Sequence, residues 1–309
     1  MSTATHVPET REMELEGDEA FETLRRAGRV KLVTDAFLRF RAADGFSHAR
    51  ALGFQITLTI LPALIALIGL ATALDQDSFT RVVRDTIGAV APGSAGDLLT
   101  QTLRQGTETS REQGEDALFF GAVAALIAGT TAMAQIERGA NRIYGVERDR
   151  PALRKYGVAL ALAATAGTLT VLAFVILVGG SALRDAIGWY DEVGTAWAIA
   201  RWPLGIALAV VAVALLFEVS PRRHQPEPTW LAFGSVISTL LWVVFTGALA
   251  LYLDASGGFG ATYGPIAGTI GVLLWAFLTA LALLLGLAVA AQLEAVRAGV
   301  SEPREAVRT

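Results

Sequence analysis

The chain has 309 residues, 53% of them hydrophobic and 17% charged, with a formal net charge of −4. A soluble domain carries nearer a quarter charged residues, so the composition excludes an ordinary soluble fold. With no cysteine, disulfides, thiolate catalysis and Cys-ligated metals are excluded as well.

Apolar runs of 18 or more residues recur, each long enough to cross a hydrocarbon core of roughly 30 Å. They are continuous rather than alternating in segments of about ten, which argues against a β-barrel. We therefore read an all-α, polytopic membrane protein with six transmembrane helices. An amphipathic N-terminal interfacial helix precedes them, and an extracytoplasmic helical hairpin lies between spans 1 and 2.

In chain order, residues 1–24 are polar and acidic and read as a disordered cytoplasmic tail. They lack the basic start and apolar run of a signal peptide. Residues 25–47 change sign: Arg25, Arg26, Arg29, Lys31, Arg39 and Arg41 interleave with Val30, Val33, Phe37 and Phe40 at helical spacing. This pattern fits a helix lying in the inner interface, or one packed on the bundle. The membrane domain covers 25–292, with spans at about 51–73, 117–136, 157–179, 197–217, 229–252 and 265–291. Residues 293–309 form a second cytoplasmic tail, frayed from 292 onward.

Pro62 interrupts the first span, and the hydroxyl of Thr57 or Thr59 is placed to bond the carbonyl it frees. The polar loop 74–115 holds two short amphipathic patterns separated by Pro92-Gly93-Ser94, hence the hairpin. Basic residues concentrate before span 1 and after spans 2, 4 and 6, so both termini are placed in the cytoplasm of a bacterial plasma membrane. Trp189, Trp197 and Trp202 mark the outer edge and Trp230 the inner edge. Gly264, Gly268 and Gly286 are read as structural, at the close approaches small residues permit.

The most informative run is 129–155, GTTAMAQIERGANRIYGVERDRPALRK. On a helix, Ile136, Ala140 and Ile143 form an apolar face beside Gln135, Arg138 and Arg142, so the helix runs past the bilayer edge. Gly145 suits the left-handed position just beyond its end, and Pro151 the first turn of the next helix.

Within the spans ionisable groups are nearly absent, which speaks against an ion-coupled pump. Three isolated histidines, His6, His48 and His224, make no metal-ligand spacing. Neither a nucleophile elbow nor a carboxylate pair stands out, so no catalytic residue, cofactor or metal is expected and the chain is not read as an enzyme. Gln55, large, polar and near Arg50, is the exception to a reading of intramembrane polar groups as helix glue.

At the hinge, Asn141-Arg142-Ile143-Tyr144-Gly145-Val146-Glu147 followed by Arg150-Pro151 resembles the signature of the YihY/BrkB family of bacterial inner-membrane proteins. The first span, from His48 through Gln55 to Pro62, and the last, from Tyr263-Gly264-Pro265 through Trp275 to Gly286, are similar to that family too. The resemblance covers roughly 30–292. It implies six spans with cytoplasmic termini. It also brings the labels carried by family members: ribonuclease BN, virulence factor and transporter. The family commonly has an acid and an Asn after the final glycine, where this chain has Leu287-Ala288-Val289-Ala290-Ala291.

The functional expectation is a protein that handles or translocates an amphiphile, such as an anionic lipid or envelope precursor. Arg50, Arg138, Arg142 and Arg150 would hold the head group, and Gln55, Asn141 and Tyr144 would orient it. The outer hairpin would be the lid. The alternatives are a non-transporting envelope scaffold of the virulence-factor type and a membrane-tethered ribonuclease. Expected partners are membrane lipids, with a homo-oligomer left open and no nucleic acid.

Overall fold

A computed structural model describes residues 4–9, 17–73, 84, 87–88, 91–177, 191–226, 228–255 and 266–304. Within these, the chain forms α1 (Gly17–Ala27), α2 (Arg29–Ala42), α3 (Gly45–Ala73), α4 (Ser94–Ile143), α5 (Ala152–Leu177), α6 (Asp191–Val219), α7 (Pro228–Ala255) and α8 (Ala267–Arg297). Six of them contain a stretch long and apolar enough to cross a bilayer: Gly45–Ala66, Phe119–Ile143, Ala152–Leu177, Thr195–Val219, Trp230–Ala255 and Ala267–Arg297. Among the described residues there is no strand, only an isolated antiparallel bridge between Ala4 and Arg304.

The bundle is organised around α8. Half of its apolar window is buried, against 17–28% for the other spans. The cause is composition. Gly271, Ala276, Ala280, Gly286, Ala290 and Ala291 let neighbours approach from several sides. A Cβ on Gly286 would lie 2.6 Å from the Gly234 carbonyl of α7, and one on Gly53 2.8 Å from the Phe277 Cα. Gly268 does the same for α4, where a Cβ would meet Leu98 Cβ at 2.6 Å. Gly264 lies outside the described residues, as does the glycine-rich run before it.

The other arm of the expected hairpin belongs to a longer element. From Ser94 the helix runs 50 residues without a break into the second span. Beyond Pro92 no proline interrupts it, and each added residue gains a backbone bond once the helix is nucleated. Most of the first arm, 74–83, 85–86 and 89–90, lies outside the described residues. Thr57 and Thr59 bond the carbonyls of Gly53 and Gln55, their own i−4 partners, rather than the one Pro62 frees.

Both ends differ from the expected tails where they are described. Residues 4–9 lie against the hinge with Ala4 and Val7 buried, and α1 packs Ala20 against Trp230 and Leu293. Trp230 is therefore a core residue rather than an interfacial one. At the other end, Gln292, Leu293, Glu294 and Ala295 are fully buried. Helix α8 closes at Gly299, φ 76°, with Val300 N bonded to the Ala295 carbonyl. Charge alone made these segments look solvated; the partners that cover them are distant in sequence.

Helix α2 buries Leu32, Ala36, Arg39 and Phe40 and leaves Val30, Val33 and Phe37 exposed. Its exposed apolar row sits beside Arg29, Lys31 and Arg41, the arrangement of an interfacial helix. Arg39 departs from the expected basic face and points into the bundle.

Candidate functional site

The hinge between α4 and α5 is built by local rules. Helix α4 ends with Gly145 N bonded to the Arg142 carbonyl and Val146 N to the Asn141 carbonyl. Gly145 has φ 71°, the left-handed turn that closes such an end. The Pro151 carbonyl then accepts from Lys155 N at 2.8 Å, starting α5.

Asn141 is fully buried and uses both ends of its amide. Nδ2 donates to Asp149 Oδ1 at 2.9 Å, and Oδ1 accepts from Arg222 N at 2.7 Å. It thus ties α4 to the hinge loop and to the turn between α6 and α7. Asp149 also accepts from Lys155 Nζ at 2.7 Å. Burial would raise the Asp149 carboxyl, but the hydrogen bonds from Lys155 and Asn141 outweigh it and hold it below its ordinary value.

Arg150 is committed to the end of α6. It donates to the carbonyls of Val219 (3.0 Å), Ser220 (2.6 Å) and Pro221 (2.8 Å), and pairs with Glu137 Oε2 at 3.1 Å. The last carbonyls of a helix lack intrahelical donors and carry its negative end, so a guanidinium fork is a natural cap. Tyr144 is buried beneath Arg223, whose guanidinium carbon stands 4.4 Å from the ring centre. Burial in this apolar setting raises the Tyr144 hydroxyl well above the usual tyrosine range. Arg142 donates to the carbonyls of Val146 and Glu147, within its own hinge.

Four residues that sequence reasoning passed over complete this end. Arg223 binds Glu294 through both carboxylate oxygens, at 2.6 and 3.0 Å, with both side chains buried. Arg39 Nε donates to Gln292 Oε1 at 2.7 Å. Burial lowers the Arg39 guanidinium to about 10, still charged at neutral pH. Two turns beyond Gly286, Glu294 places a buried carboxylate on α8. A signal existed, since Gln292 and Glu294 follow a long apolar run with no turn residue between.

A second polar grouping is different in kind. On α4, Thr131, Gln135, Arg138 and Arg142 follow one another at helical spacing. Facing them on α3 are His48, Gln55 and Thr59. Gln135 Nε2 lies 3.2 Å from His48 Nδ1, a bond in which the amide donates. Thr131 Oγ1 lies 2.9 Å from Gln55 Oε1, and Thr59 bonds the Gln55 carbonyl. His48, Gln55, Thr131 and Gln135 are all half-buried, and Arg50 and Arg138 are exposed. His48 sits in the field of Asp44, Arg138, Arg142 and Asp149, so this polar face opens at the hinge. Phe54, Leu58 and Leu126, exposed on the same two helices, provide apolar surface within the spans.

Arg50 apart, the candidate residues thus fall into two sets. Gln55, Arg138 and Arg142 belong to the α3–α4 polar face or its mouth, whereas Arg50, two residues from His48 and so on the other side of α3, is exposed and donates to Ser47 Oγ at 2.9 Å. Asn141, Tyr144 and Arg150 lie in the buried network that fastens the helix ends together.

Fold and site together define a multi-pass, all-α membrane protein with six apolar helices and an arginine-rich hinge at one end. The chain belongs to the family described as Virulence factor BrkB, whose model matches residues 36–308. It is 26% identical over 261 residues to a Bacillus subtilis protein named as ribonuclease-like, YfkH, covering 83% of this chain and 93% of that one. It is 25% identical to a UPF0761 membrane protein of Chromobacterium violaceum over 75% of this chain and 55% of that one. For the UPF0761 membrane protein Bpet3042 of Bordetella petrii the identity is 28%, over 81% and 54% of the two chains. The chain thus spans little more than half the length of these two UPF0761 relatives. No solved structure matches it.

Proposed function

We propose that the protein handles or translocates an anionic amphiphile in the bacterial plasma membrane, with the hinge end in the cytoplasm. The carrying observation is the half-buried polar face of α3 and α4: His48–Gln135 and Gln55–Thr131, with Arg138 and Arg142 at its mouth. A polar row left partly open within apolar spans offers hydrogen bonds to a head group while acyl chains stay in lipid. The cations at the mouth attract an anionic head, each by about 1 kcal/mol. The positive-inside bias supports the orientation.

The alternative, a non-transporting envelope scaffold, draws on the internal bonds of Arg150, Asn141 and Tyr144, which explain those residues without a ligand. A membrane-tethered ribonuclease is the further alternative, and YfkH bears a ribonuclease-like name. Among the described residues no three His, Asp or Glu are grouped as a metal site would group them.

The test is flipping of fluorescent phosphatidylglycerol in vesicles holding purified protein. Wild type should exceed protein-free vesicles. Gln55→Leu/Gln135→Leu removes two side-chain bonds of about 1 kcal/mol or less each, so its rate should fall up to roughly thirtyfold. Arg142→Ala should slow it as well. Background rates for wild type and variants alike would sink the proposal.

A further inference from the structure

Two buried guanidinium groups at the hinge end are fixed from behind and met from in front by main chain. Their inner arms rest on α8, Arg39 on Gln292 and Arg223 on Glu294. Their outer arms reach the same short segment. Arg39 Nη1 donates to the Thr5 carbonyl at 2.7 Å and to the Ile143 carbonyl at 3.3 Å, and Arg223 Nη2, which also binds Glu294 Oε1 at 2.6 Å, donates to the Pro8 carbonyl at 3.0 Å. Both cations are almost wholly covered, at 0% exposure for Arg39 and 1% for the Arg223 side chain.

We propose that the outer arms of Arg39 and Arg223 form a binding site for a phosphate-bearing anion, and that residues 4–9 are a built-in strap occupying it.

Charge balance supports this. Among the described residues two guanidiniums here meet one carboxylate, Glu294, because Gln292 is neutral. Among the same residues donors exceed acceptors too: Arg39 Nη2 and Arg223 Nε, both buried, have no hydrogen-bond partner. A cluster of this kind favours an anion over a neutral carbonyl, since an anion adds charge neutralisation to the hydrogen bond and offers the guanidinium fork more than one acceptor oxygen. The inner contacts on α8 do not involve the strap. Its removal would take one acceptor from each guanidinium while Gln292, Glu294 and the Ile143 carbonyl still hold both in place, an arrangement already organised for a ligand.

The strap is held lightly. Only Ala4 and Val7 are buried, while His6, Pro8 and Glu9 are exposed. Its other anchors include two main-chain bonds, Val7 N to the Tyr144 carbonyl at 3.1 Å and Thr5 N to the Pro303 carbonyl at 3.3 Å, and the exposed approach of Glu9 Oε2 to His224 Nδ1 at 3.4 Å. Gly145 gives it a seat, because a Cβ there would come within 2.6 Å of the His6 Cα. A depression of about 490 Å³ opens alongside, lined by His6, Glu9, Arg148 and Arg222 among others. Glu9 belongs to the strap, so withdrawal would also take one carboxylate from this rim.

The inference stands apart from transport, because binding is measured without flipping. Ala4 and Arg304 face each other in an antiparallel bridge, a separation a disulfide can span, and the native chain has no thiol to compete. The full chain carrying Ala4→Cys and Arg304→Cys is placed in phosphatidylcholine nanodiscs and titrated with inorganic phosphate by calorimetry. Phosphate should bind the reduced protein, and oxidation should abolish binding reversibly. Deletion of residues 2–9 should tighten binding at least about tenfold over wild type, as expected when a closed state no longer dilutes the open one. Adding Arg39→Gln to that deletion should reverse the gain. Repeating the titration in phosphatidylglycerol nanodiscs names the source of the anion. Weaker apparent phosphate binding there identifies a lipid head group, and equal binding identifies free phosphate. Equal affinity in the oxidised and reduced protein, or no phosphate binding in any form, overturns the proposal, including where the deletion variant fails to fold.

Discussion

Replacing Arg150 with methionine should unfasten the hinge from α6. Four acceptors lose their donor at once: the carbonyls of Val219, Ser220 and Pro221, and Glu137 Oε2. The dominant cost is at Glu137. Its side chain is 3% exposed, and it would keep only the Arg150 main-chain N–H at 3.1 Å. Removing one partner of a buried pair costs about 3–5 kcal/mol, because the other charge stays buried. For a chain of this size roughly 2–4 °C accompanies each kcal/mol, so the melting midpoint should fall by about 10 °C. The assay is thermal unfolding of detergent-purified protein followed by size-exclusion fluorescence. Two companion variants sharpen it. Glu137→Gln added to Arg150→Met should recover much of the loss. Arg150→Lys should be less damaging than methionine, because its charge still faces Glu137, but should melt clearly below wild type, because an ammonium cannot fork to four separated acceptors. If arginine stands here only to mark the cytoplasmic side, lysine would serve equally well. A lysine variant melting within about 2 °C of wild type would refute the capping argument.

Asp149 gives a pH prediction with a definite sign. Its carboxyl is held below the ordinary value of 3.8, so between its folded value and 3.8 the unfolded chain binds the extra proton. Its stabilisation is therefore present above 3.8 and lost as pH falls through the folded value. Asp149→Asn should melt lower than wild type at neutral pH, and the gap should close in acid; a constant gap contradicts the assignment. Glycine positions on the spans should separate by what surrounds them. Gly286→Ala puts a Cβ 2.6 Å from the Gly234 carbonyl and should cost about 1–3 kcal/mol. Gly247→Ala meets nothing within 4 Å and should stabilise α7 by about 0.5–1 kcal/mol. The same melting assay compares them, and equal effects would contradict the packing described around α8.

The relation of sequence to structure is clearest at particular residues. The six spans were legible because a bilayer core imposes a length and an apolarity that few other structures share. The hinge was legible too, since Gly145 supplies a left-handed φ and Pro151 starts a helix by local stereochemistry. Continuity of α4 through its polar stretch was not. Polarity there records exposure, whereas the helix needs only an unbroken backbone ladder.

The charged residues at the hinge end could not be sorted from sequence. Positive-inside bias predicts arginines there whatever their task, so Arg150, which caps a helix, reads the same as the exposed Arg138. Arg39 with Gln292, and Arg223 with Glu294, join segments 253 and 71 residues apart. Each alone looks like a solvated charge near a chain end. The sequence by itself determined class, span count and the turn that ends α4, because those depend on local pattern and on the solvent. Tertiary structure alone decided which cations are spent on the fold and which line the α3–α4 face. A buried charge is defined by its partner, and the partner is found only when the helices pack.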